Sequence, residues 1–132
     1  MKHLDLELYR ALKLQDVKTK TFLLRWIRCM HTREFGLVGS LPIWDSIILE
    51  HYESSSSGRT KKQFEFVDAV CLSMFIYMRS RVLTMESTNE ILQVYQKYPQ
   101  LQGESLQELL GLAWSVCEEL RNLDGKNSEE SN

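Results

Sequence analysis

Residues 24–46 read LRWIRCMHTREFGLVGSLPIWDS, and this stretch decides the fold. It begins with a predicted helix that carries the pair Arg25-Trp26. A break is predicted at Arg33-Glu34-Phe35, and a second helix carrying Trp44-Asp45 follows. Gly36 favours the break, because glycine weakens a helix interior and adopts backbone conformations that other residues avoid. The stretch therefore predicts two helices joined by a short interruption.

The first of these helices has one apolar face. Its apolar residues recur at i, i+3, i+4 and i+7, the spacing of one face of an α-helix. They are Leu23, Trp26, Ile27 and Met30. Arg25 and Arg28 fall outside this stripe. We therefore expect the stripe to be buried and the two arginines to face solvent or a partner.

The second helix is predicted to begin near Ser40. A serine at this position can cap a helix, and Pro42 is tolerated in the first turn because the amides there have no helical partner. Trp44, Ile47 and Ile48 are predicted to form its buried face. The following residues, 53–62, contain four consecutive serines and predict an exposed loop.

Helices are also predicted outside the opening stretch. Residues 4–14 carry an apolar stripe, and residues 65–83 are apolar nearly all round, which predicts the central helix. Asp68 interrupts that segment, so a membrane span is not expected. Ser87-x-x-Glu90 and Ser105-x-x-Glu108 are capping-box patterns, each predicted to open a helix. The polar residues 123–132 predict a flexible tail.

Composition agrees with a small helical domain. The chain has 132 residues, 43% hydrophobic and 26% charged, which leaves room for one domain with a real core. Only 6 Gly and 2 Pro occur, too few for a β fold with many turns. The net charge of −2 gives no overall basic field for nucleic acid. These observations predict an all-α fold, a compact bundle of about six helices.

The cysteines and histidines do not indicate a metal or redox site. Cys29, Cys71 and Cys117 are widely spaced, which argues against a zinc site or a disulfide framework, and reduced thiols fit the cytoplasm. Cys29 and His31 could be a nucleophile and its base, but side chains two residues apart on a helix diverge. No cofactor is expected.

The motifs of residues 24–46 resemble those of a known family. The family form is R-W, then S-R-E-F, then W-D about nine residues later, and this chain has Arg25-Trp26, Thr32-Arg33-Glu34-Phe35 and Trp44-Asp45. The pattern is similar to the second half of the TBC domain, the helical module of Rab GTPase-activating proteins. Weaker similarities extend over residues 4–100. Two positions depart from the family pattern, with Gly36 replacing a usual proline and Pro42 lying where the helix is usually continuous.

The resemblance implies a division of labour. In the family, an arginine from an I-x-x-D-x-x-R motif and a glutamine from a Y-x-Q motif act on the GTP of the bound Rab protein. The arginine offsets charge on the phosphoryl oxygens and the glutamine orients the attacking water. Neither motif occurs before Leu24 here, so no catalytic residue is transferred to this chain. The expectation is a chain that begins after the catalytic half, with exposed apolar residues such as Leu4, Leu8 and Leu12 at the cut.

The resulting hypothesis has two forms. Residues 1–122 form a lobe resembling the C-terminal lobe of a TBC domain, and this lobe braces the catalytic half and contributes GTPase-facing surface without being an enzyme itself. The implied partners are a Rab-type GTPase and the N-terminal TBC half, in the cytoplasm or held at endomembranes by partners during vesicle trafficking. The alternative is a non-catalytic TBC-like module for protein–protein interaction. The signature residues are expected to be structural, and Arg25 and Arg28 are the candidates for facing a partner.

Overall fold

The computed structural model describes residues 4–18, 20–56 and 65–130, and every regular element in them is an α-helix. The helices are α1 (Leu6–Leu14), α2 (Lys20–Arg28), α3 (Thr32–Ser56), α4 (Glu65–Tyr77), α5 (Arg79–Val82), α6 (Thr88–Gln96) and α7 (Glu104–Glu130). All except the four-residue α5 have nine or more residues. The prediction of a compact all-α bundle of about six helices is confirmed.

Helix α1 is fixed at its first turn. The Asp5 side chain accepts a hydrogen bond from the backbone N of Leu8 at 3.0 Å, which satisfies one of the unpaired amides at the helix start. Arg79 of α5 donates to the Asp5 carboxylate at 2.6 Å and pairs with Glu7. These contacts hold α1 against the core, where Leu8 and Leu12 are buried. The expectation that these two leucines are exposed is therefore wrong.

Helix α2 buries a different face from the one predicted. Phe22 and Trp26, one turn apart, are fully buried, whereas Ile27 is 38% exposed and Leu23 is half-buried. The reason is aromatic packing, because both buried rings contact Phe75 of α4. Trp26 belongs to both the predicted and the observed face, so the rotation of the helix is set by burial of the Phe22 ring in place of full burial of Leu23 and Ile27.

A break is present in α3, but it lies at Gly36, whereas Arg33-Glu34-Phe35, where it was predicted, are helical. Gly36 has φ +69° and ψ 176°, so it interrupts the helix with a conformation that favours glycine. The helix resumes at once, and Ser40 is inside it rather than at its cap. The Ser40 hydroxyl donates to the Gly36 carbonyl and, at 3.1 Å, to the Leu37 carbonyl. Ser40 therefore bonds back onto the preceding turn, and the capping prediction is wrong.

The buried face of α3 is rotated from the prediction. Ile43 is fully buried, Trp44 and Ile47 are half-buried, and Ile48 is 67% exposed. Glu50 is also buried and pairs with Arg121 of α7 at 2.5 Å. Because Glu50 lies one turn after Ile47 and two turns after Ile43, this ion pair holds the Ile43 side of α3 toward the core.

Helix α4 is the centre of the bundle, as predicted. Nine of its thirteen residues are buried, and it packs mainly against α7. The predicted single helix 65–83 is divided at Met78, where ψ is 7° and the short α5 begins. The predicted face of α7 is confirmed as buried at all but its last position, which is half-buried. Its residues are Leu106, Leu109, Leu110, Ala113, Cys117 and Leu120.

The two predicted capping boxes have different outcomes. Ser87 occupies the N-cap of α6, but its side chain makes no capping hydrogen bond. Ser105 already lies within α7, which begins at Glu104 after Gly103 with φ +58°. The second box is therefore wrong, because the helix begins directly after this glycine, two residues before the start that a Ser105 cap would give.

The predicted loop and tail are partly helical. Helix α3 continues through Ser56, because a helix already formed can extend through serines at small cost. The rest of the predicted loop 53–62 lies outside the described residues. Helix α7 continues to Glu130, well past the expected start of the tail at 123. The flexibility of residues 123–132 stays a prediction.

Candidate functional site

The signature motifs converge at the turn between α2 and α3. Met30 and His31 have positive φ values of 47° and 67° and lie in the turn between α2 and α3. Such values are costly for residues other than glycine, so the turn needs support. The Thr32 hydroxyl donates to the Cys29 carbonyl at 2.6 Å, and Trp44 Nε1 donates to the Met30 carbonyl at 2.9 Å. Trp44 of the W-D motif thus stabilises this turn through its indole N–H.

An aromatic cluster surrounds Trp26 of α2. The ring centroid of Trp26 is 5.0 Å from that of Phe22, 5.3 Å from Phe75 and 5.7 Å from Tyr98. Phe35 of the Arg-Glu-Phe motif lies 5.7 Å from the same Tyr98 ring. Trp26 and Phe35, which belong to two separate signature motifs, therefore pack on Tyr98. The cluster connects α2, α3, α4 and the segment after α6.

Tyrosine hydroxyls fix this cluster to α4. Tyr98 donates to the Met74 carbonyl at 2.7 Å, and Tyr95 donates to the Phe75 carbonyl at 3.2 Å. Burial raises the pKa of both hydroxyls, so they stay protonated donors at neutral pH. The sequence contained a signal for the cluster that the apolar-stripe argument missed, since Phe22 and Trp26 are aromatic residues at i, i+4.

Arg25 of α2 contacts both α3 and the end of α6. Its Nη2 donates to the Gln96 carbonyl at the end of α6, and its Nε lies 3.8 Å from Oε1 of Glu34. The Glu34 side chain is only 2% exposed. Loss of water raises the Glu34 pKa, an effect partly offset by a backbone hydrogen bond and by the charges of Arg25 and Arg33. Arg25 therefore places a positive charge beside a buried acidic side chain, and its role toward a partner stays a prediction.

His31 is a buried, unpartnered histidine. Its side chain is fully buried, and neither ring nitrogen has a hydrogen-bond partner within the described residues. Burial lowers its pKa to about 4, so the imidazole is neutral at physiological pH. A Cys29–His31 dyad is contradicted, because no hydrogen bond joins the two side chains.

The remaining signature residues lie on the surface. Arg33 and Asp45 are exposed, as is Arg28. Trp26, Glu34 and Phe35 are thus brought together inside the fold, Arg25 borders them with a side chain that is 34% exposed, and Trp44 supports the adjacent turn. The structure separates the motif into a buried cluster and a set of exposed charges.

One string spells Y-x-Q but lies elsewhere in the fold. Tyr98-Pro99-Gln100 follows α6, whereas the family motif precedes the Arg-Trp helix. The Tyr98 ring and hydroxyl are engaged by Trp26 and the Met74 carbonyl. Tyr98 therefore belongs to the core, whereas Gln100 is exposed.

Neither a metal site nor a membrane span is found in residues 4–18, 20–56 and 65–130. No three histidine, cysteine or acidic side chains there are placed to hold a metal ion. No helix in these ranges is long and apolar enough to cross a membrane.

Comparison with known proteins finds one family. The profile of the Rab-GTPase-TBC domain matches residues 1–83. The chain is 32% identical over 99 residues to TBC1 domain family member 5 homolog B of Dictyostelium discoideum, covering 75% of this chain and 9% of that protein. It is 30% identical over 99 residues to mouse TBC1 domain family member 13, covering 75% of this chain and 22% of that protein. The chain thus spans less than a quarter of the length of either relative. No solved structure gives a significant match.

Proposed function

Because the chain belongs to the Rab-GTPase-TBC domain family, we propose that it is the C-terminal lobe of a Rab GTPase activator. In this role it braces a catalytic half and contributes surface that faces the GTPase. Hydrolysis itself needs an arginine and a glutamine from the catalytic half, so this chain alone is not an activator. Its setting is vesicle trafficking, in the cytoplasm or at endomembranes reached through partners.

The observation that carries this proposal is the internal role of the signature motifs. Trp26 and Phe35 pack on Tyr98 inside the core, and Arg25 binds the Gln96 carbonyl beside the buried Glu34. Residues engaged in this way can hold a lobe rigid, but they cannot reach a bound nucleotide. Rigid support is what a catalytic arginine on an adjoining half requires, because its position relative to the phosphates decides its effect.

Three arginines of this chain are poor candidates for a finger, because other groups of the fold already hold them. A finger arginine must extend freely into the nucleotide site of the GTPase. Arg79 is bound to Asp5, and Arg121 is bound to Glu50. Arg25 is bound to the Gln96 carbonyl and lies beside Glu34. Arg28 is exposed and is the better candidate for contact with a GTPase surface.

The direct test is phosphate release from a panel of GTP-loaded Rab proteins, with and without the chain. We expect rates within about twofold of the intrinsic rates, with an established TBC activator as positive control. Stimulation of about tenfold, equivalent to about 1.4 kcal/mol off the barrier, would refute the proposal.

A binding measurement tests the GTPase-facing surface separately. Once a binding Rab protein is found by titration, Arg28→Ala should weaken its affinity. Arg10→Ala removes an exposed arginine from α1 and is the matched control. Equal affinities of the two variants would remove Arg28 from the proposed contact surface.

The alternative function is a non-catalytic module for protein–protein interaction. The exposed apolar face of α3 favours it, because such faces on helices commonly bind other helices. Failure to bind any Rab protein in either nucleotide state, together with binding of a helical partner, would favour this alternative over the activator lobe.

A further inference from the structure

Helix α3 presents an apolar face to solvent. Large apolar side chains between 47% and 80% exposed lie on it after the Gly36 break. They are Leu37, Val38, Leu41, Ile48 and Leu49. With about 100° between successive residues of a helix, these positions fall within one arc of about 120°. The arc is as wide as the faces that amphipathic helices normally bury.

A single carboxylate lies inside this arc. Asp45 is exposed, and its helix neighbours at i−4, i+3 and i+4 are Leu41, Ile48 and Leu49. No described residue forms an ion pair with it. A partner that covered the apolar side chains would also remove water from this carboxylate, which is unfavourable unless the partner supplies a positive charge.

We propose that this α3 face binds an amphipathic helix of another polypeptide or domain, with an arginine of that helix opposite Asp45. The apolar arc supplies the contact area, and the charge pair fixes the register of the two helices. Arginine suits the position better than lysine, because its planar guanidinium binds a carboxylate through two parallel hydrogen bonds. The proposal uses only the α3 face and stands independently of the Rab assignment.

A second copy of the chain is a poorer occupant. Two antiparallel α3 helices paired across a two-fold axis would place the same surface on both sides. Asp45 lies near the middle of the apolar arc, between Leu41 and Ile48, so the two carboxylates would approach each other near that axis. Like charges in a desolvated interface repel. Pairing of two α3 faces is therefore disfavoured, and pairing with a basic partner is favoured.

The test uses two synthetic helical peptides that differ at one position. Both carry leucines at i, i+4, i+7 and i+11 and a hydrocarbon staple on the opposite face, and the central residue is arginine in one and glutamate in the other. Fluorescence anisotropy with the full chain should show binding of the arginine peptide and at least about tenfold weaker binding of the glutamate peptide. Asp45→Arg should reverse this preference.

Further variants locate the binding surface. Leu41→Glu should abolish binding of the arginine peptide, whereas Leu14→Glu, at an 85% exposed position of α1, should leave it unchanged. All substituted side chains are exposed, and unchanged circular-dichroism melts verify folding. Equal binding of both peptides, absence of binding, or insensitivity to Leu41→Glu would overturn the proposal. Self-association abolished by Leu41→Glu would overturn it in favour of a second copy.

Discussion

Mild acid should destabilise this protein through His31. Burial lowers the pKa of this imidazole from 6.5 to about 4. In the unfolded chain the side chain takes up a proton below about pH 6.5, whereas in the folded chain it stays neutral until about pH 4. The unfolded state therefore binds more protons in this window, and the free energy of unfolding falls as the pH falls.

The size of this effect follows from the pKa difference. One pKa unit corresponds to about 1.4 kcal/mol, so acidification from about pH 7.5 to about pH 4 should remove about 3 kcal/mol. This is a large part of the roughly 5–15 kcal/mol that stabilises a domain of this size. The loss should be absent in a variant that cannot titrate at this position.

Urea unfolding across this pH range can measure the effect for the unmodified chain and for His31→Asn. Asparagine does not titrate here and tolerates the positive φ of this turn, so the variant should fold. The stability difference between the two proteins should shrink by about 3 kcal/mol toward pH 4. His51→Asn, which removes an exposed histidine from α3, is the control. A difference that does not change with pH would refute a buried, neutral His31.

Three further substitutions test the signature cluster. Trp26→Ala removes the ring at the centre of the cluster and should lower the free energy of unfolding by about 3–5 kcal/mol in urea melts. Arg25→Ala leaves a buried carboxylate without its nearby cation and should cost about 1–3 kcal/mol, whereas Arg28→Ala should stay within about 0.5 kcal/mol. Trp44→Phe keeps most of the packing but loses the indole hydrogen bond to the turn, and thermal melts should show a loss of about 1 kcal/mol. If the Trp44→Phe variant were as unstable as Trp26→Ala, the role of Trp44 as a half-buried side chain that stabilises the turn through one hydrogen bond would be contradicted.

Periodicity predicted which segments are helical, but not always how each helix is rotated. The prediction succeeded for α4 and α7, where apolar residues are numerous enough to define the buried side. It failed for α2, because Phe22 competes with Leu23 and Ile27, and the aromatic partners that favour Phe22 are distant in sequence. Tertiary contacts therefore determined which of two similarly apolar faces of α2 is buried.

The α3 helix shows the same limit for charged residues. The break at Gly36 was predictable, because the glycine is local information. The rotation after it was not, because Glu50 is drawn inward by Arg121 from the far end of the chain. Arg25 was likewise expected at the surface, and its contact with Glu34 could not be read from helix spacing. The sequence located the motif residues, while contacts with distant residues, such as the packing of Trp26 and Phe35 on Tyr98, accompany the burial of some of them.

The measurement that tests the central claim most directly is a chimera in a TBC activator of known Rab substrate. The segment of the host that corresponds to the lobe of residues 1–122 is replaced by residues 1–122 of this chain, and phosphate release from the GTP-loaded Rab protein is followed. We predict that the chimera stays active, that removal of the host's catalytic arginine abolishes the activity, and that Trp26→Ala in the grafted segment also abolishes it by unfolding the lobe. A chimera that folds but does not stimulate hydrolysis would contradict the account of this chain as a supporting lobe.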